Sequence, residues 1–181
     1  RGKGPNYSGE NRFYFMIIRK PIDEADCVIA EKPVYNGRPQ TPEVQVSYMD
    51  AGKKVTLVAG TDYDIAYENN TEAADASAEN APEIVLTEKG GYGGVARIKF
   101  TISPKNINSE DITATGSALY KNGEPVEARV AVTDNGAPAE RATLVRDTDF
   151  TLSDQSNQTG IGEQGTVTVT GTGNYTGTRT A

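Results

Sequence analysis

The sequence predicts an all-β chain built from two tandem antiparallel β-sandwich units. Three observations support this prediction: apolar and polar residues alternate in many short segments, landmark phrases occur twice, and no helical apolar stripe of useful length appears. The 19 Gly and 9 Pro are spread along the 181 residues, as expected for turns between short strands. Periodicity, duplication and turn chemistry therefore agree on one fold class.

Alternation of apolar and polar residues predicts strands with one buried and one exposed face. The pattern is clearest at 44–48, 98–102, 130–132 and 167–169. Hydrophobic residues make up 36% of the chain, with no Trp. That content suits two small sandwiches better than one large core, because small units are mostly surface.

Three landmark phrases recur in the same order: YNGRP at 35–39 and YKNGEP at 120–125, LVAGTDYDI at 57–65 and LVRDTDFTL at 144–152, KGGYGG at 89–94 and GTGNYTG at 171–177. Their aromatic residues are separated by 85, 87 and 83 positions (120 − 35, 150 − 63 and 175 − 92). A nearly constant separation of ordered landmarks indicates that the chain contains two copies of one unit.

The duplication sets the expected domain boundaries. We expect repeat 1 to span 21–103 and repeat 2 to span 104–181, with repeat 2 lacking most of its last strand. Pro104 cannot donate a ladder hydrogen bond and suits the joint, and short Pro-containing joints predict a stiff tandem array. Residues 1–20 are expected to be the last hairpin and strand of a preceding repeat.

Two segments depart from the simple duplication. The strand expected at 12–18 has no unit of its own. We expect it to pair with the vacant edge of repeat 2 in a neighbouring molecule, because an unpaired apolar edge strand favours aggregation. The Ala- and acid-rich stretch at 69–82 is longer than its counterpart, and it predicts an enlarged loop with one helical turn.

The phrases YNGxP, LVxGTDYxIxYxNN and GxGNYxGT resemble the Ig-like repeats, of the MBG and YDG-like type, of large bacterial cell-surface proteins. The resemblance spans nearly the whole chain, and it implies two tandem Ig-like antiparallel β-sandwich domains on an extracellular stalk or adhesin. Repeat 1 departs from the pattern in its longer loop, and repeat 2 has DTDF at 147–150 where GTDY is usual. Neither departure changes the expected fold.

Composition excludes several kinds of chemistry. The formal net charge of −7 disfavours nucleic-acid binding, and the absence of His removes imidazole catalysis and His-ligated metal sites. No apolar run in the sequence is long enough to insert into a membrane. We predict no catalytic residue, no cofactor and no metal, and therefore no enzyme activity.

The glycine- and tyrosine-rich phrases admit two interpretations. A phosphate-binding loop must be followed by a helix N-terminus, which the β pattern around 171–177 does not offer. A hairpin connection needs only the conformational freedom of glycine. Tyr7, Tyr92 and Tyr175 would then cover the end of each sandwich, and they are also the candidate ligand contacts.

The Thr-Asp-aromatic phrase, which occurs once in each copy, also has two interpretations. Asp62 and Asp149 are expected to accept hydrogen bonds from backbone amides of the preceding turn. Asp62 and Asp64 form an Asp-x-Asp that could contact Ca²⁺, but Thr151 replaces Asp64 in repeat 2. We favour the structural role.

Lysine and cysteine residues offer two further candidates for chemistry. Lys20 or Lys105 could begin an isopeptide crosslink, but the matching last strand at 95–102 contains no Asn or Asp. Cys27 aligns with Ile112, which indicates a small buried apolar side chain rather than a nucleophile. Neither residue is therefore expected to react.

The sequence thus predicts a non-catalytic spacer segment of an exported bacterial surface protein, located extracellularly and partnered by neighbouring repeats. The alternative is a binding module for a host glycan or an extracellular protein. Solvent-open tyrosine rings on one face would favour the binding module, and buried rings would favour the spacer.

Overall fold

A computed structural model describes residues 10, 12–156 and 158–181. The described chain is all-β, as the alternation predicts: its regular structure consists of short strands and two 3₁₀ turns, Ile22–Glu24 and Ala139–Arg141. No helix of the described residues is long and apolar enough to cross a membrane. The sheets are small and open.

Repeat 1 contains eight strands: β1 Lys20–Pro21, β2 Asp26–Ile29, β3 Val44–Asp50, β4 Lys53–Thr56, β5 Tyr63–Glu68, β6 Glu83–Glu88, β7 Tyr92–Gly93 and β8 Val95–Lys99. They form two three-stranded antiparallel sheets, β2-β3-β4 and β5-β6-β8. The short strands β1 and β7 pair in parallel, with Lys20 opposite Tyr92.

Repeat 2 contains seven strands: β9 Lys105–Asn106, β10 Ile112–Ser117, β11 Arg129–Asp134, β12 Phe150–Ser153, β13 Thr168–Gly171, β14 Tyr175–Thr176 and β15 Thr178–Thr180. The pairings of repeat 1 recur in it, as β10-β11, β12-β13-β15 and the parallel pair β9-β14. Lys105 lies opposite Tyr175, as Lys20 lies opposite Tyr92. All pairings between these strands stay on one side of the expected boundary at 103 and 104.

The apolar residues of the alternating segments face inward, as predicted. Val46, Phe100, Ile102, Val132 and Val169 are all buried. The buried residues of both repeats belong to one connected apolar cluster rather than to two separate cores. The two separate small cores that the composition predicts are therefore not confirmed, because side-chain packing crosses a boundary that the strand pairings do not cross.

The strand expected at 12–18 does not form within the chain. Residues 12–19 have no strand assignment, and the side chains from Phe13 to Ile18 are exposed. A strand needs a partner for its backbone N–H and C=O groups, and the described residues supply none to the segment. The remainder of the expected hairpin, 1–9 and Asn11, lies outside the described residues.

The last strand of repeat 2 is more complete than expected. Strand β15 pairs with β13, and Val167 and Ala181 exchange two backbone hydrogen bonds of 3.1 and 2.9 Å. The region 69–82 is an enlarged loop, as predicted, but it forms turns and contains no helical turn. Ala74 in this loop pairs instead with Ile102, so tertiary pairing overrides the local helical preference.

Candidate functional site

The tyrosines of the glycine-rich phrases are buried. Tyr92 is 8% exposed and Tyr175 is 3% exposed, whereas Tyr7 lies outside the described residues. Neither described ring offers a face to a ligand, so the expectation that they contact one is not supported. The phrase around Tyr175 is a turn between β13 and β15, with Gly173 and Gly177 at φ of 61° and 80°, and it is not a phosphate-binding loop.

Tyr175 instead forms the centre of a contact between the two repeats. Its ring packs edge-to-face against Tyr35 of repeat 1, with 5.5 Å between ring centroids and an interplanar angle of 77°. Both rings are buried. Aromatic pairs in this geometry add about 0.5–1.5 kcal/mol beyond the area that they bury. We call the contact region around these two rings the junction.

A buried polar cluster lies next to the rings. The Lys105 ammonium donates to Asp111 Oδ2 at 2.6 Å and to Asp134 Oδ1 at 2.7 Å, and Asp134 is fully buried. Tyr175 donates its hydroxyl to Asp134 Oδ2 at 3.2 Å, and the Gly136 amide donates to Asp134 Oδ1 at 2.9 Å. Every oxygen of this buried carboxylate is therefore paired, as a buried charge requires.

The cluster raises the pKa of two of its members, Lys105 and Tyr175. Burial lowers the pKa of Lys105, but the hydrogen bonds that its ammonium donates to Asp111 and Asp134 outweigh this effect and raise the pKa above its ordinary value of 10.5. Burial, and then the charge of Asp134, raises the pKa of Tyr175. Lys105 is consequently an ammonium ion held in an ion pair and is not a nucleophile.

A second set of contacts joins the enlarged loop of repeat 1 to repeat 2. The Glu72 carboxylate accepts from Arg141 Nη1 at 2.6 Å and from Asn174 Nδ2 at 2.6 Å. Asn174 Oδ1 in turn accepts from the backbone N–H of Ala73 at 2.8 Å. The enlarged loop at 69–82, which is longer than its counterpart in repeat 2, thus supplies part of the junction.

Further hydrogen bonds join the two repeats at the junction. Arg38 Nη1 donates to the Gly136 carbonyl at 3.0 Å, and Arg141 Nη1 donates to the Tyr35 hydroxyl at 3.4 Å. The hydrogen bond to Tyr35, and then the pair with Glu72, raises the pKa of Arg141. Arg38 and Tyr35 of repeat 1 therefore also bond to repeat 2.

The equivalent end of repeat 1 carries a related pair that remains open to solvent. Lys20 Nζ lies 3.0 Å from Asp50 Oδ2, and their side chains are 41% and 55% exposed. The side chains of Lys105 and Asp134 are 10% and 0% exposed. Tyr92 packs there against Tyr48, with 5.7 Å between ring centroids. Lys105 is thus buried where repeat 1 lies next to it, whereas Lys20 is partly exposed within the described residues.

Asp62 and Asp149 have the structural role that the sequence predicts. Asp62 Oδ2 accepts from the Val58 amide and Asp149 Oδ2 accepts from the Val145 amide, each at 2.8 Å. Asp64, the other half of the Asp-x-Asp, pairs with Lys89. No group of three metal-ligating side chains converges in the part of the chain that the structure describes.

Cys27 is half-buried against the core, and burial, followed by the charge of Asp26, raises the pKa of its thiol. It lies opposite Val46 in the sheet. Ala114 lies opposite Val132 in the same way. The strand register therefore matches Cys27 with Ala114 rather than with Ile112, and either match indicates a small packing residue.

A groove of about 580 Å³ lies at the end of repeat 2. Tyr120, Val126, Ile161, Val167 and Ala181 are among the residues that line it. Glu163 is the only acidic side chain in the lining, and it accepts from the amides of residues 159 and 160. A pair of carboxylates facing each other across a cleft, which glycoside hydrolysis requires, is not found in this groove.

Sequence reasoning missed the two residues that matter most at the junction. The isopeptide hypothesis considers Asn and Asp of the last strand at 95–102, whereas the acid that pairs with Lys105, Asp134, lies at the end of β11. Asn174 belongs to a phrase that predicts a turn, but its side chain reaches the other repeat. The chain matches no protein-family model, no curated protein and no solved structure.

Proposed function

We propose that this chain is a non-catalytic spacer, or stalk, segment of an exported bacterial surface protein, in which two Ig-like domains are held in a fixed relative orientation. The observation that carries the proposal is the junction, because its tyrosine pair and several side-chain hydrogen bonds link the two repeats. A spacer must resist bending at its joints, and bonded side-chain contacts across a joint provide that resistance.

The backbone at the joint supports the same proposal. The Ser103 amide and carbonyl bond to Pro33 and Tyr35 of repeat 1 at 2.9 Å each. The Lys105 amide bonds to the Asn174 carbonyl of repeat 2 at 2.9 Å. Only Pro104, whose ring fixes φ, lies between these anchored residues. The joint therefore has almost no free length over which to bend.

The extracellular location, the bacterial surface and the Ig-like assignment rest on the resemblance of the repeated phrases. The neighbouring repeats of the same chain would be the main partners. Buried tyrosines favour the spacer by the criterion stated above. Measured hydrolysis of glycans or peptides at enzyme-like rates would contradict this proposal.

A binding module for a host glycan or extracellular protein is the second candidate. One observation favours it: Tyr120 is 54% exposed and lines the groove at the end of repeat 2. An aromatic ring beside an open groove could stack on a sugar. Saturable binding in a glycan and extracellular-matrix array, lost in Tyr120→Ala, would favour this candidate over the spacer.

The stiffness of the joint can be measured with two spin labels, at Lys53 in repeat 1 and Lys121 in repeat 2, in a chain in which Cys27 is replaced by Ala. We expect one narrow distance distribution. Replacing Glu72 and Arg141 by Ala should broaden it, and Arg129→Ala, an exposed control on repeat 2, should leave it unchanged. A broad distribution in the parent chain would contradict a stiff spacer.

A further inference from the structure

The segment 12–18 is an unusual surface. The side chains of Phe13, Tyr14, Phe15, Met16, Ile17 and Ile18 are between 78% and 92% exposed. Six consecutive apolar residues rarely remain open to water on a soluble chain, and such a run marks a docking element or an aggregation site. The sequence of the segment indicates which surface it fits.

Residues 12–22 match residues 97–107 at one constant separation of 85 positions. Arg12, Phe15, Ile17, Lys20 and Ile22 are each identical to their counterparts, Arg97, Phe100, Ile102, Lys105 and Ile107. In repeat 1 the stretch from 97 continues strand β8 to the joint. The segment 12–18 therefore has the sequence of a strand that completes a repeat.

The counterparts show how such a strand is held. Phe100 and Ile102 are 4% and 0% exposed. The Phe100 amide donates to the Pro82 carbonyl at 2.9 Å, and Ile102 exchanges two hydrogen bonds with Ala74. Two alternate side chains thus enter the core while the backbone pairs along the edge of β6 and the loop before it.

Repeat 2 has a place of the same kind at its groove. Val167 and Ala181, which line the groove, pair as Ile84 and Ile98 pair in repeat 1. Gly165 corresponds to Pro82 and also lines the groove, and its backbone makes no hydrogen bond in the described part of the chain.

We propose that the segment 12–18 of a second copy of this chain docks in this groove as an antiparallel strand. By equivalence with Phe100 and Pro82, Phe15 of the second copy lies opposite Gly165, which can supply both an N–H and a C=O. Ile17 then takes the place of Ile102, and Tyr14 faces outward as Lys99 does. The partner thus adds a strand to an open edge.

The surfaces next to the strand agree with this docking. Tyr120 of repeat 2 is the counterpart of Tyr35, which is 4% exposed because it packs at the junction, whereas Tyr120 is 54% exposed. The exposed pair Lys20–Asp50 lies at the end of repeat 1 that corresponds to the buried end of repeat 2. Docking would bring Tyr120 of one copy to the Tyr92 end of the next, repeating the internal junction.

This association goes beyond the spacer function, which a monomer could also serve. It is head-to-tail, because the donor lies before repeat 1 and the acceptor lies in repeat 2. Head-to-tail contacts continue from copy to copy unless the rotation that relates successive copies closes a ring. We therefore expect a concentration-dependent series of oligomers rather than a single symmetric dimer.

Sedimentation of the full chain between ~10 µM and ~1 mM provides the first test. We expect association that Phe15→Asp and Ile17→Asp reduce at least tenfold, and that Tyr14→Asp leaves nearly unchanged. Segment 12–18 is fully exposed, so these variants keep the fold, which circular dichroism can check. A chain that stays monomeric throughout, or equal losses in all three variants, would overturn the proposal.

Disulfide trapping tests the register. The pair Tyr14–Thr166 is equivalent to Lys99–Glu83, which face each other in the sheet. Mixing Tyr14→Cys chains with Thr166→Cys chains, both also carrying Cys27→Ala, should give a mixed disulfide dimer upon oxidation. Phe15→Cys with the same partner is one position out of register and should give much less. Equal yields from both mixtures would reject the proposed strand pairing.

Discussion

Asp134 is the residue on which the buried part of the junction depends. Its carboxylate has no exposure and accepts from Lys105, Gly136 and Tyr175. A buried carboxylate is tolerated only when its oxygens are paired, and here three donors from three places in repeat 2 converge on it. The same residue thus orients the lysine and the tyrosine ring that packs on repeat 1.

Replacing Asp134 by Ala should destabilise the chain by about 3 kcal/mol, because it leaves the buried Lys105 charge with Asp111 alone and the Tyr175 hydroxyl without its acceptor. The matched control is Asp50→Ala, which removes the acid from the exposed pair with Lys20 and should cost less than about 0.5 kcal/mol. Urea unfolding of both variants measures the difference. Similar losses would show that burial at the junction adds nothing to the pair.

At the scale of the elements, the sequence could predict what depends on local pattern. The alternating apolar residues at Val46, Phe100 and Val169 are buried, and Asp62 and Asp149 bond to the turns before them. Period-two alternation and side-chain-to-turn hydrogen bonds depend on residues that are close together in the sequence, so a single sequence is enough to predict them.

Contacts between distant elements could not be predicted in this way. The partner of Lys105 lies 29 positions away, and Glu72 meets Asn174 across 102 positions. Nothing in the neighbouring residues indicates these pairs. The strand expected at 12–18 is not observed for a related reason: its apolar run suits a strand, but a strand forms only where a partner edge is present.

The turn that begins with Asn36 lies at the junction. The corresponding turn of repeat 2, at Gly123, provides a matched control. Gly37 and Gly123 occupy corresponding turns with φ of 75° and 85°, so an Ala side chain costs about 1 kcal/mol at either position. A Cβ at Gly37 would also lie 2.8 Å from Pro138 Cδ of repeat 2, whereas a Cβ at Gly123 meets nothing within 4 Å.

Gly37→Ala should therefore destabilise the chain more than Gly123→Ala does, by a further 1–3 kcal/mol or so, the usual range for overpacking. It should also broaden the spin-label distance distribution between the repeats, which Gly123→Ala should not do. Equal thermal unfolding midpoints of the two variants would mean that the turn at Gly37 does not pack against repeat 2.

At the scale of the whole molecule, two kinds of connection hold the repeats together. Strand pairing stays within each repeat, while aromatic packing, an ion pair and side-chain hydrogen bonds cross between them. Covalent connection at Pro104 keeps the two surfaces close, so contacts that would be weak between free domains become effectively intramolecular. The orientation of the repeats therefore depends on side chains whose charge can be changed by pH.

Alkaline pH should loosen this arrangement. In the folded chain the pKa of Lys105 is raised above its ordinary 10.5 and the pKa of Tyr175 above its ordinary 10.0. Below those ordinary values both groups keep their protons in either state, and their contribution to stability is fully present. As the pH rises through the raised values, the unfolded chain has already released protons that the folded chain still holds, so stability falls.

The Tyr175 part of this effect can be isolated. The free energy of unfolding of the parent chain should decline above about pH 10 by up to about 1.4 kcal/mol per pH unit for each such group. Tyr175→Phe keeps the ring that packs on Tyr35 and removes the titrating hydroxyl, so its decline should be shallower. Tyr14→Phe, an exposed tyrosine, should follow the parent. Parallel curves for all three chains would place the alkaline sensitivity elsewhere than in the junction.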